Sequence, residues 1–229
     1  MLQLDYKPLM AAYIRGHSME TGVPILNSSL IQTPLDQLTG EQLAEIERAG
    51  RAAELKLYRF KDSMMLPRVQ KVLGFLRGIA FDSLLDVGSG RGAFLFPMLA
   101  AFPWIDVTSV DLLDHRVEFI RQMSQGGLDS LHAVKTDICS QPFAEKTFDV
   151  VTLLEVLEHI PRVEDAVCAA VKMARKFVVV SVPSKPDNNP EHIHLLTKQR
   201  LTELFGQAGC RRLNFNGVNG HLLMVASIE

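Results

Sequence analysis

From Phe81 to the end of the chain, short apolar runs alternate with segments of helical periodicity. "DSLLDVG", "IDVTSVD", "LHAVKTD", "FDVVTLL" and "KFVVVSV" read as buried strands. Between and after them come "RGAFLFPMLAAF", with Pro97 in its first turns, "DHRVEFIRQM", capped by Asp114, "VEDAVCAAVKMA" and "KQRLTELFGQAG", which Thr197 opens and Gly209 stops. Repeated strand–helix units bury a parallel sheet on both faces. Two last runs, "RRLNFNG" and "HLLMVAS", flank an Asn/Gly turn and predict a hairpin that adds an antiparallel strand. The expected fold is α/β, a doubly wound sheet of seven mostly parallel strands.

Residues 1–78 have another texture. Pro8, Pro24 and Pro34 with Gly16 and Gly22 predict loops and short helical turns over the first forty residues. Thr39 and Gln42 resemble a capping box opening a helix that runs on through "EQLAEIERAGRAAELKLYRF", and Pro67 opens another ending near Gly78. We therefore expect a helical extension over 1–78, serving as a lid or a dimerisation face, and an α/β domain over 79–229.

Composition narrows the function classes. A net charge of −2 gives no global basic field for nucleic acid or an anionic membrane. The three cysteines are widely spaced, without a CxxC, which suits a reducing cytosol and argues against a thiolate zinc site. The N-terminus lacks a signal pattern, because Asp5 and Lys7 interrupt it, and no apolar run approaches bilayer length. The expectation is a cytoplasmic protein with no membrane partner.

The first strand-to-helix turn, "LLDVGSGRG", is rich in glycine. Gly88, Gly90 and Gly92 allow a tight turn and close approach of a ligand beside a helix N-terminus. Gly88, Gly90 and Ala93 also satisfy the dinucleotide spacing, so the glycines alone leave a nicotinamide enzyme open. Asp86 shifts the balance: a carboxylate there suits a cationic amine and sits awkwardly beside a pyrophosphate. The second strand ends in Asp111, placed for ribose hydroxyls, and the third in Asp137, placed for an adenine amino group.

Together these residues resemble the class I S-adenosylmethionine-dependent methyltransferases, of the type 11 and 12 kind, over residues 81–229. The resemblance implies that Asp86, Gly88 and Gly90 hold the methionine part of the cofactor, Asp111 the ribose and Asp137 the adenine. Leu112, Ile138 and Leu154 complete the expected cofactor lining. It also implies a methyl acceptor: a small-molecule hydroxyl first, a ring carbon or amine next, RNA last. A cofactor-binding protein without catalysis is the rival from another class.

A further cluster follows the fourth strand. "LLEVLEHI" carries Glu155, Glu158 and His159, which a helix would place on one face, and "PEHIHLLT" carries His192 and His194 at the same edge of the sheet. One reading makes them a hydrogen-bonded cluster that orients the loop, as in small-molecule methyltransferases with a similar "LEH" turn, and leaves Glu155 or His159 the simpler role of general base. The other resembles the metal-dependent terminal RNA 2′-O-methyltransferases and implies a divalent ion on Glu155, Glu158, His159 and His192, although the aromatic-rich extension of that family is missing here. His17 and His221 have no partner legible in sequence. His132 reads as an edge or satisfied strand residue, Trp104 and Phe94, Phe96, Phe102 and Phe119 as core on apolar helix faces, and Tyr13, Arg15, Tyr58 and Arg59 as candidate pocket residues.

Overall fold

The computed structural model describes residues 4–60, 66–186 and 188–228. Its centre is one seven-stranded sheet: β1 (Ser83–Val87), β2 (Asp106–Asp111), β3 (Leu131–Lys135), β4 (Phe148–Leu154), β5 (Ala174–Pro183), β6 (Arg212–Val218) and β7 (His221–Ser227). The strand order is β3-β2-β1-β4-β5-β7-β6, parallel from β3 to β5, with β7 antiparallel to both β5 and β6. The hairpin turns at Asn219 and Gly220, both at positive φ, as the sequence pair requires. Chain direction around the sheet reverses between β1 and β4. A crevice therefore opens beyond their C-terminal ends, where the glycine loop and residue 155 lie.

The helices are α1 (Lys7–Thr21), α2 (Ser28–Gln32), α3 (Gly40–Ala52), α4 (Pro67–Arg77), α5 (Leu95–Ala101), α6 (Asp114–Gln125), α7 (Val163–Met173) and α8 (Lys198–Gln207). The Thr39/Gln42 capping box forms in full, and Thr197 caps α8 by accepting from Arg200 N. One cap and one helix end are corrected. Asp114 is the first helical residue rather than the cap of α6, and the Asp111 carboxylate takes the Leu113 N–H instead, at 3.0 Å. The α3 helix stops at Ala52, and Glu54 at φ 55 turns the chain away.

The first forty residues depart furthest from expectation, because α1 is a fifteen-residue helix. Its Gly16 marks a contact rather than a break. A Cβ there would lie 1.8 Å from the Gln122 carbonyl oxygen, so α1 and α6 touch backbone to backbone. The partner position, Gly126, faces Ala12 O in the same way, at 1.7 Å. Helices α1, α3, α4, α5 and α6 share one apolar core with one face of the sheet, through residues such as Ile14, Ile46, Leu76, Phe96, Leu84 and Val150. Helices α7 and α8 cover the other face, with Val167, Phe205, Leu85 and Val151 among the buried contacts. The described helices of residues 1–78 thus pack as a layer on one face of the sheet, since they share their apolar core with it.

Several single-residue readings change for the same reason. Tyr13 and Arg15 are buried away from the crevice: Tyr13 packs on Phe119 with ring centroids 4.3 Å apart, and the Arg15 guanidinium donates to the carbonyls of Ile31 and Thr33. Burial pushes the Tyr13 hydroxyl up and the Arg15 guanidinium down from their ordinary values. Arg59 lies over the Phe119 ring, and Tyr58 is exposed. Trp104 is 71% exposed and meets Phe102 edge-on, because it sits in the turn between α5 and β2 rather than on a helix face. Phe94, Phe96, Phe102 and Phe119 are buried. His132, on edge strand β3, contacts Asp106 Oδ1 at 2.9 Å.

Candidate active site

A cavity of about 790 Å³ occupies the crevice. Asp86, Gly88, Gly90, Asp111, Leu112, Asp137, Ile138, Leu154, Glu155 and His159 all line it. From the N-terminal layer come Arg68, Val69 and Val72, all on α4, in place of the four tyrosines and arginines considered from sequence.

Asp86 lies in the middle of β1's end and is 2% exposed. Its Oδ1 accepts from Thr152 Oγ1 at 2.7 Å and its Oδ2 from Ser89 Oγ at 2.6 Å. Burial still pushes the carboxyl up to about 6, two hydroxyl donors offsetting only part of the lost hydration. What such a group lacks is a cation. Gly88 follows at φ 66, where a Cβ would come within 2.8 Å of Val156 Cγ2, so the loop closes against the β4 turn only with glycine there.

Asp111 and Asp137 close the neighbouring strands. Besides Leu113 N, the Asp111 carboxylate meets Arg116 Nη1 at 3.3 Å. Asp137 accepts from Cys139 N at 2.9 Å and from Arg162 Nη2 at 3.2 Å. The Cys139 amide, first, and Arg162 hold the Asp137 carboxyl below its ordinary value. Leu112, large and exposed, and Ile138, buried, stand beside these acids as apolar cavity wall.

The cluster after β4 divides in two. Residues 157–159 make a single helical turn, but Glu155 precedes it in a left-handed backbone conformation, φ 58, uncommon for a residue other than glycine. Glu155 therefore does not share a face with Glu158 and His159. Its Oε1 accepts from Ser181 Oγ at 2.7 Å, and its Oε2 lies 2.9 Å from His221 Nδ1, close but off the line of a hydrogen bond. Arg68 Nε stands 3.9 Å from Oε1. His221, without a partner in sequence, finds one because β7 pairs with β5 and places His221 opposite Pro183.

Glu158, His159 and His192 converge, each with a ligating atom within 4.8 Å of the others. The four-residue set is corrected to three, since Glu155 belongs to the other group. Glu158 is 1% exposed. His159 Nδ1 donates to the Glu191 carbonyl at 3.0 Å, which leaves Nε2 as the nitrogen that could hold an ion. His194 is a strut instead: a ring nitrogen donates to Ile160 O at 3.0 Å, and its backbone N–H reaches Glu158 O at 3.2 Å.

Residues 85–179 match the family model described as methyltransferase domain. Over these residues the chain carries a methyltransferase domain, and its sheet order is that of the class I, S-adenosylmethionine-dependent fold. Similar sequences include the ribosomal RNA small subunit methyltransferase G of Leuconostoc mesenteroides, 27% identical over 55% of this chain and 51% of that one. The ubiquinone/menaquinone biosynthesis C-methyltransferase UbiE of Cereibacter sphaeroides is 32% identical over 41% of this chain and 38% of that one. The chain thus spans about half the length of the first relative and less of the second. Among solved structures, a SAM-dependent methyltransferase from Aquifex aeolicus superposes with a TM-score of 0.59 at 18% identity, over 74% of this chain and 94% of that one, a likeness of fold. No helix among the described residues is long and apolar enough to cross a membrane.

Proposed function

We propose that this chain transfers a methyl group from S-adenosylmethionine to a small-molecule hydroxyl. The carrying observation is that the buried Asp86 with its glycine loop and the carboxylate of Glu155 face one cavity. The residues fit the cofactor. Asp86, short of a cation, would take the ammonium; Gly88 and Gly90 would let the methionine part approach the backbone; Asp111 would meet the ribose diol. Asp137 would accept from the adenine amino group, between Leu112 and Ile138, with Leu154 near the methyl end. The cofactor supplies an activated sulfonium methyl, so alignment with the acceptor accounts for much of the rate. A hydroxyl must also lose its proton, and Glu155, with His159 on the same cavity wall, is the base in reach. The three free cysteines fit a reducing, cytoplasmic setting. Titration calorimetry of the chain with S-adenosylhomocysteine tests the first half, and release of that product with a panel of hydroxy compounds tests the second. Binding of NADH in its place would overturn the reading.

A second reading, an RNA 2′-hydroxyl as acceptor, draws on the similarity to a ribosomal RNA methyltransferase and on the Glu158, His159 and His192 group. One carboxylate and two imidazoles suit Mn²⁺, Fe²⁺, Co²⁺ or Zn²⁺ better than Mg²⁺. An ion held there would act as a Lewis acid toward a hydroxyl. The check is dialysis against EDTA followed by calorimetric titration with each ion. Binding abolished by Glu158→Gln supports the site. No binding, with turnover indifferent to EDTA, leaves His159 the simpler role of base.

A further inference from the structure

Arg68 stands at the start of α4 beside Val69 and Val72, where this helix walls the acceptor side of the cavity. Its side chain is 22% exposed and its contacts there are long: Nε to Glu155 Oε1 at 3.9 Å and Nη1 to His221 Nε2 at 3.4 Å. Glu155 does not depend on it, since Ser181 Oγ and His221 Nδ1 stand at 2.7 and 2.9 Å from its two oxygens. Of the three other arginines of the lining, Arg116 and Arg162 are committed to carboxylates at the opposite end, Asp111 and Asp137, and Arg91 is exposed on the glycine loop there. A guanidinium carries five donors in a rigid fork that matches a carboxylate, and it stays charged at any working pH. Long contacts leave that fork with capacity for a ligand.

The geometry points to Arg68 as the receptor for a carboxylate on the acceptor, so that the acceptor is a hydroxy acid. Its body is apolar, because Val69 and Val72 flank the arginine. Its hydroxyl faces Glu155, and Arg68 exchanges a loose intramolecular pair for a bidentate one. This deepens the methyl-transfer reading above and rests on it. The acid discriminates at the binding step: a charge-assisted fork separates a carboxylate from its neutral amide by on the order of 10–100-fold.

The test uses the full chain saturated with S-adenosylhomocysteine and titrated by calorimetry with matched acids and amides. The series comprises the hydroxybenzoates, the hydroxycinnamates and medium-chain hydroxyalkanoates. At least one acid should bind tenfold or more tightly than its amide. Arg68→Met should bring the pair to parity, and Arg68→Lys should restore part of the preference. S-adenosylhomocysteine affinity, equal in all three proteins, certifies that the variants are folded. An acid no better than its amide throughout the series, or a preference that survives Arg68→Met, overturns the assignment. Failure of the wild-type chain to bind S-adenosylhomocysteine would instead strike at the methyl-transfer reading.

Discussion

Asp86, Gly88 and Gly90 lie within one strand end and its loop, and Asp111 and Asp137 follow the next two strands in chain order. Arg68, Glu155 and Ser181 reach the other end of the same cavity from α4, the β4 turn and β5, and His221 of β7 contacts both Glu155 and Arg68, 153 positions away from the latter. The donor end is assembled by a repeated strand–helix unit, whose every repeat delivers a loop to the same edge of the sheet. The end with Arg68 and Glu155 depends on β7 pairing beside β5 and on α4 reaching the cavity wall. Locally built sites tolerate loss of distant contacts; sites assembled from remote segments do not.

The sharpest attempt to break this contrast is Gly16→Ala. A methyl 1.8 Å from a carbonyl oxygen must push α1 off α6, and overpacking of this kind costs roughly 3 kcal/mol. The melting temperature should fall by about 6–12 °C. S-adenosylhomocysteine affinity, measured below the new transition, should nevertheless stay within about threefold, a change too small to matter at ~1.4 kcal/mol per decade. Affinity lost along with stability would show that the donor end leans on the N-terminal layer.

Asp86 offers the next largest effect. Its carboxyl, raised by burial to about 6 from 3.8, holds a proton more tightly folded than unfolded. Stability it contributes is therefore full below about pH 4 and lost as pH rises through about 6. Two pH units correspond to about 3 kcal/mol. Urea melts of the ligand-free chain should show this extra decline between pH 4 and 7 relative to Asp86→Asn, and parallel profiles would contradict it.

Asp111→Ala should weaken S-adenosylhomocysteine by on the order of 10–100-fold in calorimetry, the worth of hydrogen bonds to a charged acceptor. A change under threefold would remove Asp111 from the ribose. The smallest effect belongs to His221→Phe at the far end. Product affinity should move less than about twofold, while preference for a bound acid over its amide shifts, because Glu155 loses one neighbour. Weakened product binding would mean that the two ends are not separable.

The strand–helix alternation, both closing strands, the Thr39 and Thr197 caps and the three strand-end acids follow from residue order alone. Periodicity, turn chemistry and capping act over a few residues, so they can be read without knowing what lies across the core. The α1 helix escaped that reading. Gly16 looks like a breaker until α6 is there to receive it, and Pro8 lies in the first turn of α1, where proline is tolerated. Trp104 went wrong in the opposite sense, an apolar residue left at the surface by a turn of the chain. The parting of Glu155 from Glu158 and His159 depended on one left-handed backbone angle, held by Ser181 and His221 from strands that no local pattern connects. Sequence settled where the carboxylates and glycines meet the edge of the sheet, because the β–α repeat carries them there. Only tertiary packing decided which side chains face each other across the cavity, since that depends on strand order and on contacts between residues far apart in the chain.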